Sequence, residues 1–224
     1  MKLTMKLALF FVLLGSAISA FSAGRPGDAP GQSPYPDWAD EMRFGNYQDA
    51  WKALNQSNTT KYWLVLSNFN NDGGTWGENF TCLSVQETQL NETDKSAVSV
   101  FTFRNASNAT TEFKVEEKVK AVFNYNYTVK ENAFEYTLAN GTNITDTLIF
   151  SDGETCDIFS VPYINGGKGC ELWVNDKYVD KIPKCCLFVY NYFCTPKGTK
   201  RYYIYKKKMC RGPTNQGKKN ETSS

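Results

Sequence analysis

The stretch AFEYTLANGTNITDTLIFSDGETCDIFSV, residues 133–161, contains three short β-type runs separated by turn signals. The runs are AFEYTL (133–138), ITDTLIFS (144–151) and CDIFSV (156–161), and the turn signals between them are NGT (140–142) and SDG (151–153). In the first run, Phe134, Tyr136 and Leu138 fall on one face, because side chains alternate along a strand. Short strands at this even spacing predict an antiparallel all-β barrel or sandwich.

The same pattern continues on both sides of this stretch. Further strand candidates are KYWLVLSNF (61–69), SAVSVFTFR (96–104), FKVEEKVKAVFNYNYTV (113–129), ELWV (171–174) and RYYIYKKKMC (201–210). The run at 113–129 is long enough for two strands or one bent strand. About eight antiparallel strands are therefore predicted, and this number suits a closed barrel whose interior can hold one small ligand.

Two segments outside the strands have helical patterns. Residues 37–55 predict short helices, and CCLFVYNYFC (185–194) predicts a longer one. In the second helix Cys186 and Cys194 are eight residues apart and so lie on one side. The expected fold is thus all-β, an eight-stranded antiparallel barrel with short N-terminal helices and a C-terminal helix.

The N-terminus has the layout of a secretory signal peptide, with lysines ahead of an apolar run at 7–14 and small residues after it. That run is far shorter than the roughly 20 residues that cross a membrane. We expect cleavage after Ala20, or as late as Ala23. The expected organisation is a signal peptide at 1–20, a flexible lead-in at 21–36, one domain at 37–210 and a flexible tail at 211–224. The mature protein is then expected to be secreted and extracellular.

Composition argues against several classes of protein. Removing Lys2 and Lys6 with the signal peptide takes Lys+Arg from 25 to 23, equal to the 23 Asp+Glu, so nucleic acid and anionic membranes are not expected partners. The chain has no histidine, which excludes Ser-His-Asp and Cys-His catalysis. It also has no CxxC pair. We therefore expect no enzyme activity, no metal site and no cofactor.

Cysteines and sequons agree with an extracellular protein. Of the seven cysteines, six can form three disulfides, and the seventh suggests an intermolecular bridge or a capped thiol. Ten Asn-x-Ser/Thr sequons indicate that several asparagines carry glycans at the surface. They are Asn55, Asn58, Asn79, Asn91, Asn105, Asn108, Asn126, Asn140, Asn143 and Asn220. Adjacent sequons such as Asn105 and Asn108 predict a loop tip.

Several segments together give the chain a family resemblance. They are PDWADE (36–41), QDAWK (48–52), WGENFTC (76–82), ENAFEY (131–136) and TDTLIFSD (145–152). The most specific pattern is CDI (156–158) followed by ELW (171–173) and Cys185. In these segments, from Asp37 to Cys210, the chain resembles the tick salivary histamine-binding lipocalins, and in particular their biogenic-amine-binding branch.

The resemblance implies a lipocalin barrel that sequesters histamine, and in some members serotonin, at the feeding site of a tick. It also implies two internal amine sites. By resemblance, the first would use Asp72, Glu171 and Tyr136, with Trp76 nearby. The second would use Glu117, Asp157, Trp173 and Phe134, with Asp146 close.

Two positions depart from the histamine-binding pattern. Phe69 stands where the family pattern has Tyr, which removes a hydroxyl, and Ile144 stands where it has Phe, which removes a ring that could stack on an aromatic ligand. These changes affect the first site more than the second. A changed pocket could also favour serotonin.

The resemblance further implies the bridges Cys82–Cys210 and Cys156–Cys185. Cys170–Cys194 is then an additional bridge, and Cys186 is left unpaired. Cys185 and Cys186 could exchange these roles, because sequence alone does not fix connectivity. An unpaired Cys186 suggests a disulfide-linked homodimer.

The residue chemistry is consistent with this reading. A biogenic amine carries an ammonium group at neutral pH, much as lysine does. Carboxylates offer it charge-assisted hydrogen bonds, and each aromatic face adds a cation–π attraction of roughly 0.5–2 kcal/mol. Glu171 and Trp173 are two residues apart on a strand, so an acid and an aromatic ring face the same side.

The residues alone allow other interpretations. Asp72 in NNDGG is typical of a turn, Glu117 in EEK is typical of an exposed strand residue, and the rings could simply fill a core. A lipid-mediator binder, for leukotrienes or fatty acids, would present a base such as Lys114, Lys118 or Lys120 to the ligand carboxylate. A third possibility is a surface-acting inhibitor of complement or clotting that uses the barrel as a rigid frame.

Overall fold

The computed structural model describes residues 34–138 and 140–211. In chain order its strands are β1 (Lys61–Ser67), β2 (Asn71–Asp72), β3 (Gly77–Glu78), β4 (Thr81–Asn91), β5 (Ser96–Asn105), β6 (Asn108–Val122), β7 (Ala133–Thr137), β8 (Asn143–Ser151), β9 (Cys156–Val161), β10 (Gly169–Asn175) and β11 (Tyr202–Tyr203). Eight of them form an antiparallel meander from β1 through β4 to β10, and β10 pairs with β1. The predicted closed eight-stranded antiparallel barrel is therefore confirmed.

Helices occupy both ends of the described chain. They are α1 (Glu41–Phe44), a 3₁₀ turn (Gly45–Tyr47), α2 (Ala50–Leu54), α3 (Lys184–Cys194) and α4 (Lys207–Cys210). Asp40 and Asp49 cap α1 and α2, because each carboxylate accepts a hydrogen bond from a backbone N–H of the first turn. The short N-terminal helices and the C-terminal helix α3 lie where the sequence predicts them.

Not every barrel strand is one that the sequence predicts. No predicted strand covers β4, and the long candidate at 113–129 contains only the later part of one strand, β6, which ends at Val122. The predicted final strand at 201–210 is wrong, because it contains the two-residue β11 followed by α4. One edge of β1 is already paired with β4 over Lys61–Trp63, so only Leu66 and Ser67 remain to pair with β11.

Alternation along the strands separates an inner core from an outer one. Leu64, Phe101 and Leu148 belong to the cluster inside the barrel. Trp63 and Leu172 belong to a second cluster, which α3 shares, on the outer surface of the barrel. Trp63 and Leu64 are neighbours in sequence, and they point into different clusters because the side-chain period of a strand is two. The outer cluster fixes α3 against the wall formed by β9 and β10.

Three disulfides stabilise this arrangement. Cys82–Cys210 and Cys170–Cys194 join the expected cysteines, but the third bridge is Cys156–Cys186, so the expected Cys156–Cys185 bridge is wrong. Consecutive helical residues are about 100° apart, so Cys186 and Cys194 face the barrel while Cys185 faces solvent as a free thiol. A dimer linked through Cys186 is also ruled out in this arrangement, because that sulfur is already bridged and buried.

Some sequence predictions lie outside the described residues. They are the signal peptide at 1–20, nearly all of the lead-in at 21–36, the tail at 211–224 apart from its first residue, and the sequon at Asn220. Of the other nine sequon asparagines, eight are exposed, and Asn105 is half-buried. Asn105 and Asn108 pair at the β5–β6 turn, which is the predicted loop tip. In the described part of the chain, the helices are too short or too polar to cross a bilayer.

Candidate functional site

The barrel contains a partly open cavity. Six carboxylic acids line it: Asp72, Glu87, Glu117, Asp146, Asp157 and Glu171. Aromatic rings form much of the remaining wall: Trp76, Phe101, Phe134, Tyr136, Phe159 and Trp173. No lysine or arginine is among the described residues that line it. The cavity is therefore acidic and aromatic, without a cation of its own.

Ten of the eleven residues that the sequence singles out as ligand-binding line this cavity. They are Asp72, Trp76, Glu117, Phe134, Tyr136, Ile144, Asp146, Asp157, Glu171 and Trp173. The exception is Phe69, which is buried beside the cavity with its ring edge-on to Phe80, 5.9 Å between centroids. The loss of a Tyr hydroxyl at this position therefore affects packing behind the wall rather than the wall itself.

The acids of β9 and β10 are held in a fixed relation by the strand register. Trp173 lies opposite Asp157, and Glu171 lies opposite Phe159. The indole N–H of Trp173 donates a 2.8 Å hydrogen bond to Oε2 of Glu171, two residues away on the same inward face. Both carboxylates are only 6% exposed. An acid and an aromatic ring thus share one side of β10, as the spacing predicts.

Four of the acids form one group, which we call the four-acid cluster: Asp72, Glu117, Asp146 and Glu171. Burial, and next the charge of Glu171, raise the pKa of Asp146 well above its usual value. Burial and the charge of Asp72 raise the pKa of Glu117 to about 7. The pKa of Glu171 is also raised to about 7, by burial and by Asp72, although the Trp173 hydrogen bond lowers it in part. Glu117 and Glu171 therefore take up protons near neutral pH, and Asp146 holds a proton more firmly than an exposed aspartate does.

Asp146 is the least satisfied member of the four-acid cluster. Its Oδ2 accepts a long hydrogen bond of 3.4 Å from the Tyr163 hydroxyl, and its Oδ1 is buried with no hydrogen-bond partner. Tyr163 belongs to the turn between β9 and β10 and is 46% exposed, so it lies at the edge of the cavity. A ligand with N–H groups could supply the donor that Asp146 lacks.

Asp72 combines the turn role with a place in the cavity wall. Its Oδ1 accepts hydrogen bonds from the backbone N–H groups of Gly74, at 2.7 Å, and Thr75, at 3.4 Å. The resulting turn carries Trp76, whose carbonyl oxygen accepts a 2.9 Å hydrogen bond from the Asn105 side chain. The two interpretations of Asp72 are therefore compatible, because the turn that it forms also fixes it in the wall.

The remaining two acids of the cavity wall are Glu87 and Asp157. The charge of Asp157 is one of the influences that raise the pKa of Glu87 to about 7, after burial and against a hydrogen bond from Ser99. Burial also raises the pKa of Asp157 to about 7, against the Ser151 hydroxyl. The resemblance associates Asp157 with Glu117. Here the charge that acts on Glu117 is that of Asp72.

Sequence reasoning missed several lining residues. They are Tyr62, Glu87, Phe101, Phe159 and Tyr163. Glu87 follows Leu83 and Val85 at intervals of two, so the alternation along β4 was a signal that could have placed it on the inward face. Tyr163 lies in a turn, where no periodicity indicates the direction of a side chain.

Among the described residues, one group has ligand atoms close enough together to hold a metal ion: Asp152, Cys156 and Cys186. This group does not suit a metal. The two cysteines are bonded to each other, so neither sulfur is available as a thiolate ligand.

The closed antiparallel barrel, its C-terminal helix and its lined interior define a lipocalin-like ligand-binding protein. The family model for tick histamine binding protein matches residues 38–212, and the chain belongs to this family. This agrees with the resemblance found in the sequence.

Two relatives come from Rhipicephalus appendiculatus. The male-specific histamine-binding salivary protein is 33% identical over 181 residues, 79% of this chain and 88% of the relative. The female-specific histamine-binding protein 1 is 36% identical over 157 residues, 70% of this chain and 80% of the relative. Both relatives are histamine-binding proteins.

Among solved structures, the crystal structure of the AM182 serotonin complex has the same fold. Its TM-score is 0.50 at 24% identity, and the match covers 72% of this chain and 92% of that chain.

Proposed function

We propose that the protein captures a protonated biogenic amine, with histamine as the principal ligand, inside the barrel. The observation that carries the proposal is an acidic cavity in which Asp146 and Asp157 each retain a buried carboxylate oxygen without a hydrogen-bond partner. An unpaired buried carboxylate costs several kcal/mol and is neutralised either by a proton or by a cation. An ammonium group brings both the positive charge and the N–H donors that these oxygens lack.

The aromatic wall suits the remainder of such a ligand. Trp173 lies between Glu171 and Asp157, its ring centroid 6.2 Å from that of Phe101, and Phe134 packs on Phe159 at 4.9 Å. These faces can stack on an imidazole or indole ring and attract a cation by roughly 0.5–2 kcal/mol each. Histamine as the principal ligand is further supported by family membership and by the binding described for both tick relatives.

Serotonin is the second ligand in the proposal. Ile144 lines the cavity opposite Tyr136 on the neighbouring strand, at a position where the resemblance implies Phe. The aliphatic side chain leaves more room for a fused indole ring than a phenyl ring would. Ile144 in place of Phe is therefore the reason for including serotonin beside histamine in the proposal.

The proposed setting is tick saliva, where capture of free amine would suppress inflammation at the feeding site. The signal-like N-terminus, the three disulfides and the exposed sequons support secretion as a glycoprotein. One of the relatives is a salivary protein. Capture is stoichiometric, so affinity and abundance determine how much amine is removed.

The lipid-mediator alternative has weaker support. Lys114, Lys118 and Lys120 are exposed on β6 and do not line the cavity, so none of them is placed to receive a ligand carboxylate inside it. A fatty acid would instead bring a negative charge among six carboxyl groups.

Titration calorimetry with histamine, serotonin and leukotriene B4 tests the proposal. We expect heat and saturation with the two amines and no binding of the leukotriene. The absence of a signal with both amines at micromolar protein would defeat the proposed function. Saturable binding of the leukotriene alone would favour the lipid alternative.

A further inference from the structure

Tyr163 is the exposed member of the cavity wall. Of the described residues that line the cavity, it alone is exposed, at 46%, whereas the others are buried or half-buried. Most of the others lie on barrel strands that are hydrogen-bonded along both edges, because the barrel is closed. Tyr163 lies instead in the turn between β9 and β10. It is therefore the lining side chain with room to move.

The opposite end of the barrel is covered by α2, which packs into the inner cluster. The backbone N–H of Ala50 donates a 2.8 Å hydrogen bond to the carbonyl oxygen of Glu131, in the β6–β7 connection. Just after the helix, the side chain of Gln56 donates to the carbonyl oxygen of Gly153, in the β8–β9 turn, at 3.4 Å. Successive connections of a meander alternate between its two ends, so the β9–β10 turn with Tyr163 lies at the other end. The mouth of the cavity is therefore at Tyr163.

The backbone that carries Tyr163 is fixed to the barrel. Ile164 packs against the inner cluster, and its carbonyl oxygen accepts a 3.1 Å hydrogen bond from the N–H of Gly169. The side chain of Asn165 donates to the carbonyl oxygen of Asn68 at 3.2 Å. Movement at the mouth therefore falls on the Tyr163 side chain, and an exposed side chain changes rotamer within picoseconds to nanoseconds when nothing holds it.

A long hydrogen bond ties this side chain to the cavity wall. The Tyr163 hydroxyl donates to Oδ2 of Asp146 at 3.4 Å, which is longer than an ordinary O–H···O bond and therefore weak. The other oxygen, Oδ1, is buried without a partner. An ammonium group offers the same carboxylate a shorter, charge-assisted bond. A ligand can therefore take the place of the Tyr163 hydroxyl on Asp146.

We propose that Tyr163 is the gate of the cavity, the side chain that must rotate away for a small ligand to enter or leave. This inference rests on the proposed function and adds to it the residue that sets the rate of exchange. In the empty protein the ring narrows the mouth and the hydroxyl bonds to Asp146. The ring rotates outward as the ligand passes and then returns over it. In the loaded protein the amine occupies Asp146, so the ring covers the mouth without that hydrogen bond.

The test is stopped-flow mixing of histamine with the intact chain carrying Tyr163→Ala. Tryptophan fluorescence is the signal, because Trp76 and Trp173 line the cavity. The control is Tyr192→Ala, which removes a 68% exposed tyrosine of α3 that does not line the cavity. We expect Tyr163→Ala to raise the association and dissociation rates together, each on the order of tenfold, and to leave the affinity within about threefold. The control should change neither rate.

A second variant isolates the hydroxyl. Tyr163→Phe keeps the ring but removes its hydrogen bond to Asp146. Since that bond is present in the empty protein and replaced in the loaded one, association should become about threefold faster while dissociation stays unchanged. A thermal melt of each variant checks folding, and if Tyr163→Ala does not fold, this variant carries the test. Unchanged association in Tyr163→Phe would overturn the role of the hydroxyl.

Other outcomes would overturn the gate itself. A tyrosine that merely contacts the ligand would, on removal, raise the dissociation rate alone and weaken affinity by the same factor. Wild-type rates in Tyr163→Ala would also exclude a gate.

Failure of this inference can be told apart from failure of the proposed function. If the wild-type chain does not bind histamine, the proposed function falls, but access to the cavity can still be measured with acrylamide, a small neutral quencher of tryptophan fluorescence. Tyr163→Ala should increase quenching relative to the wild type and to Tyr192→Ala. Equal quenching in all three proteins would overturn the gate.

Discussion

Trp173 donates its indole N–H to the carboxylate of Glu171 along the inward face of β10, 2.8 Å from nitrogen to oxygen. The bond orients the acid toward the cavity and leaves its second oxygen for a ligand. It also opposes the rise in the pKa of Glu171 that burial causes. One side chain therefore provides a stacking surface and favours the ionised form of its neighbour.

The first prediction concerns the charge of Glu171. Glu171→Gln should weaken histamine binding at the four-acid cluster about tenfold or more, because a charge-assisted hydrogen bond is lost. The empty variant should unfold at the same temperature as the wild type or higher, because a buried charge has been removed. Calorimetry gives the affinity, and a thermal melt gives the stability. Glu112→Gln is the matched control, because Glu112 is an exposed acid on β6 that does not line the cavity. Unchanged affinity and stoichiometry in Glu171→Gln would exclude this residue from the site.

The second prediction concerns the indole N–H. Trp173→Phe keeps an aromatic ring but removes the hydrogen bond that lowers the pKa of Glu171. The pKa of Glu171 should then rise further above 7, so the carboxyl is more often protonated and amine affinity falls. The loss should be larger at pH 6 than at pH 8, as measured by calorimetric titration at each pH. An equal loss at both values would mean that Trp173 contributes only its ring.

The third prediction is a pH dependence of the empty protein. The pKa of Glu87, Glu117 and Glu171 is about 7 in the folded chain, against 4.5 ordinarily, and that of Asp157 is about 7, against 3.8. The folded state thus holds more protons on these groups than the unfolded state does between these values, so their contribution to stability is fully present below about pH 4 and is lost as pH rises through about 7.

Amine binding should reverse this trend. Histamine replaces protons on these carboxyls, so the increase in melting temperature that it causes should be larger at pH 8 than at pH 5. At pH 7 binding should also release protons, which calorimetry detects as a dependence of the heat on the ionisation enthalpy of the buffer. A melting temperature of the empty protein that rises steadily from pH 5 to pH 8 would contradict the assignment of raised pKa values.

The fourth prediction distinguishes the adjacent cysteines. Cys186→Ser breaks the bridge to Cys156 and should cost roughly 2–5 kcal/mol of unfolding free energy. Cys185→Ser should change that free energy by less than about 0.5 kcal/mol, because the side chain is exposed and unpaired. Denaturant unfolding measures both, and peptide mapping without reduction identifies the bridged pair. A large loss in Cys185→Ser with a small one in Cys186→Ser would restore the pairing implied by resemblance.

The fifth prediction concerns ligand preference. Ile144→Phe adds a ring to the cavity wall opposite Tyr136. The ring should favour stacking on imidazole and reduce the room for indole, so the ratio of histamine to serotonin affinity should rise by severalfold. Competition between the two amines measures this ratio directly. A small change behind the wall, Phe69→Tyr, should leave the ratio nearly unchanged, since Phe69 does not line the cavity.

The sequence predicts the barrel well because its strands alternate. Ala97, Ser99, Phe101 and Phe103 are all buried along β5, so the spacing of hydrophobic residues reproduces the inward face. The same rule would have placed Glu87, but TCLSVQETQLN at 81–91 is largely polar, and polar residues weaken the hydrophobic signal of a strand. The pairing of β10 with β1 that closes the barrel is harder to predict, because it depends on contacts between residues that are far apart in the sequence.

For the cysteines, the spacing along the helix and the family resemblance lead to different pairings. Helical spacing groups Cys186 with Cys194, whereas resemblance assigns Cys185 to Cys156, and the structure follows the helical spacing. The strand predicted at 201–210 was wrong because contacts with distant parts of the chain override the local preference. Its residues favour a strand, but the available edge of β1 is two residues long and the Cys82–Cys210 bridge anchors the end of the helix that follows.

The pairing of β10 with β1 has a consequence for how a working molecule can be recognised. Glu171 and Trp173 lie on the last barrel strand, opposite Ser67 and Leu64 of the first, so their place in the cavity exists only once the whole intervening chain has been brought together. A chain that is misassembled or incompletely oxidised would present the same acids to bulk water. Tight amine capture would therefore serve as an assay of completed folding for each copy of the chain.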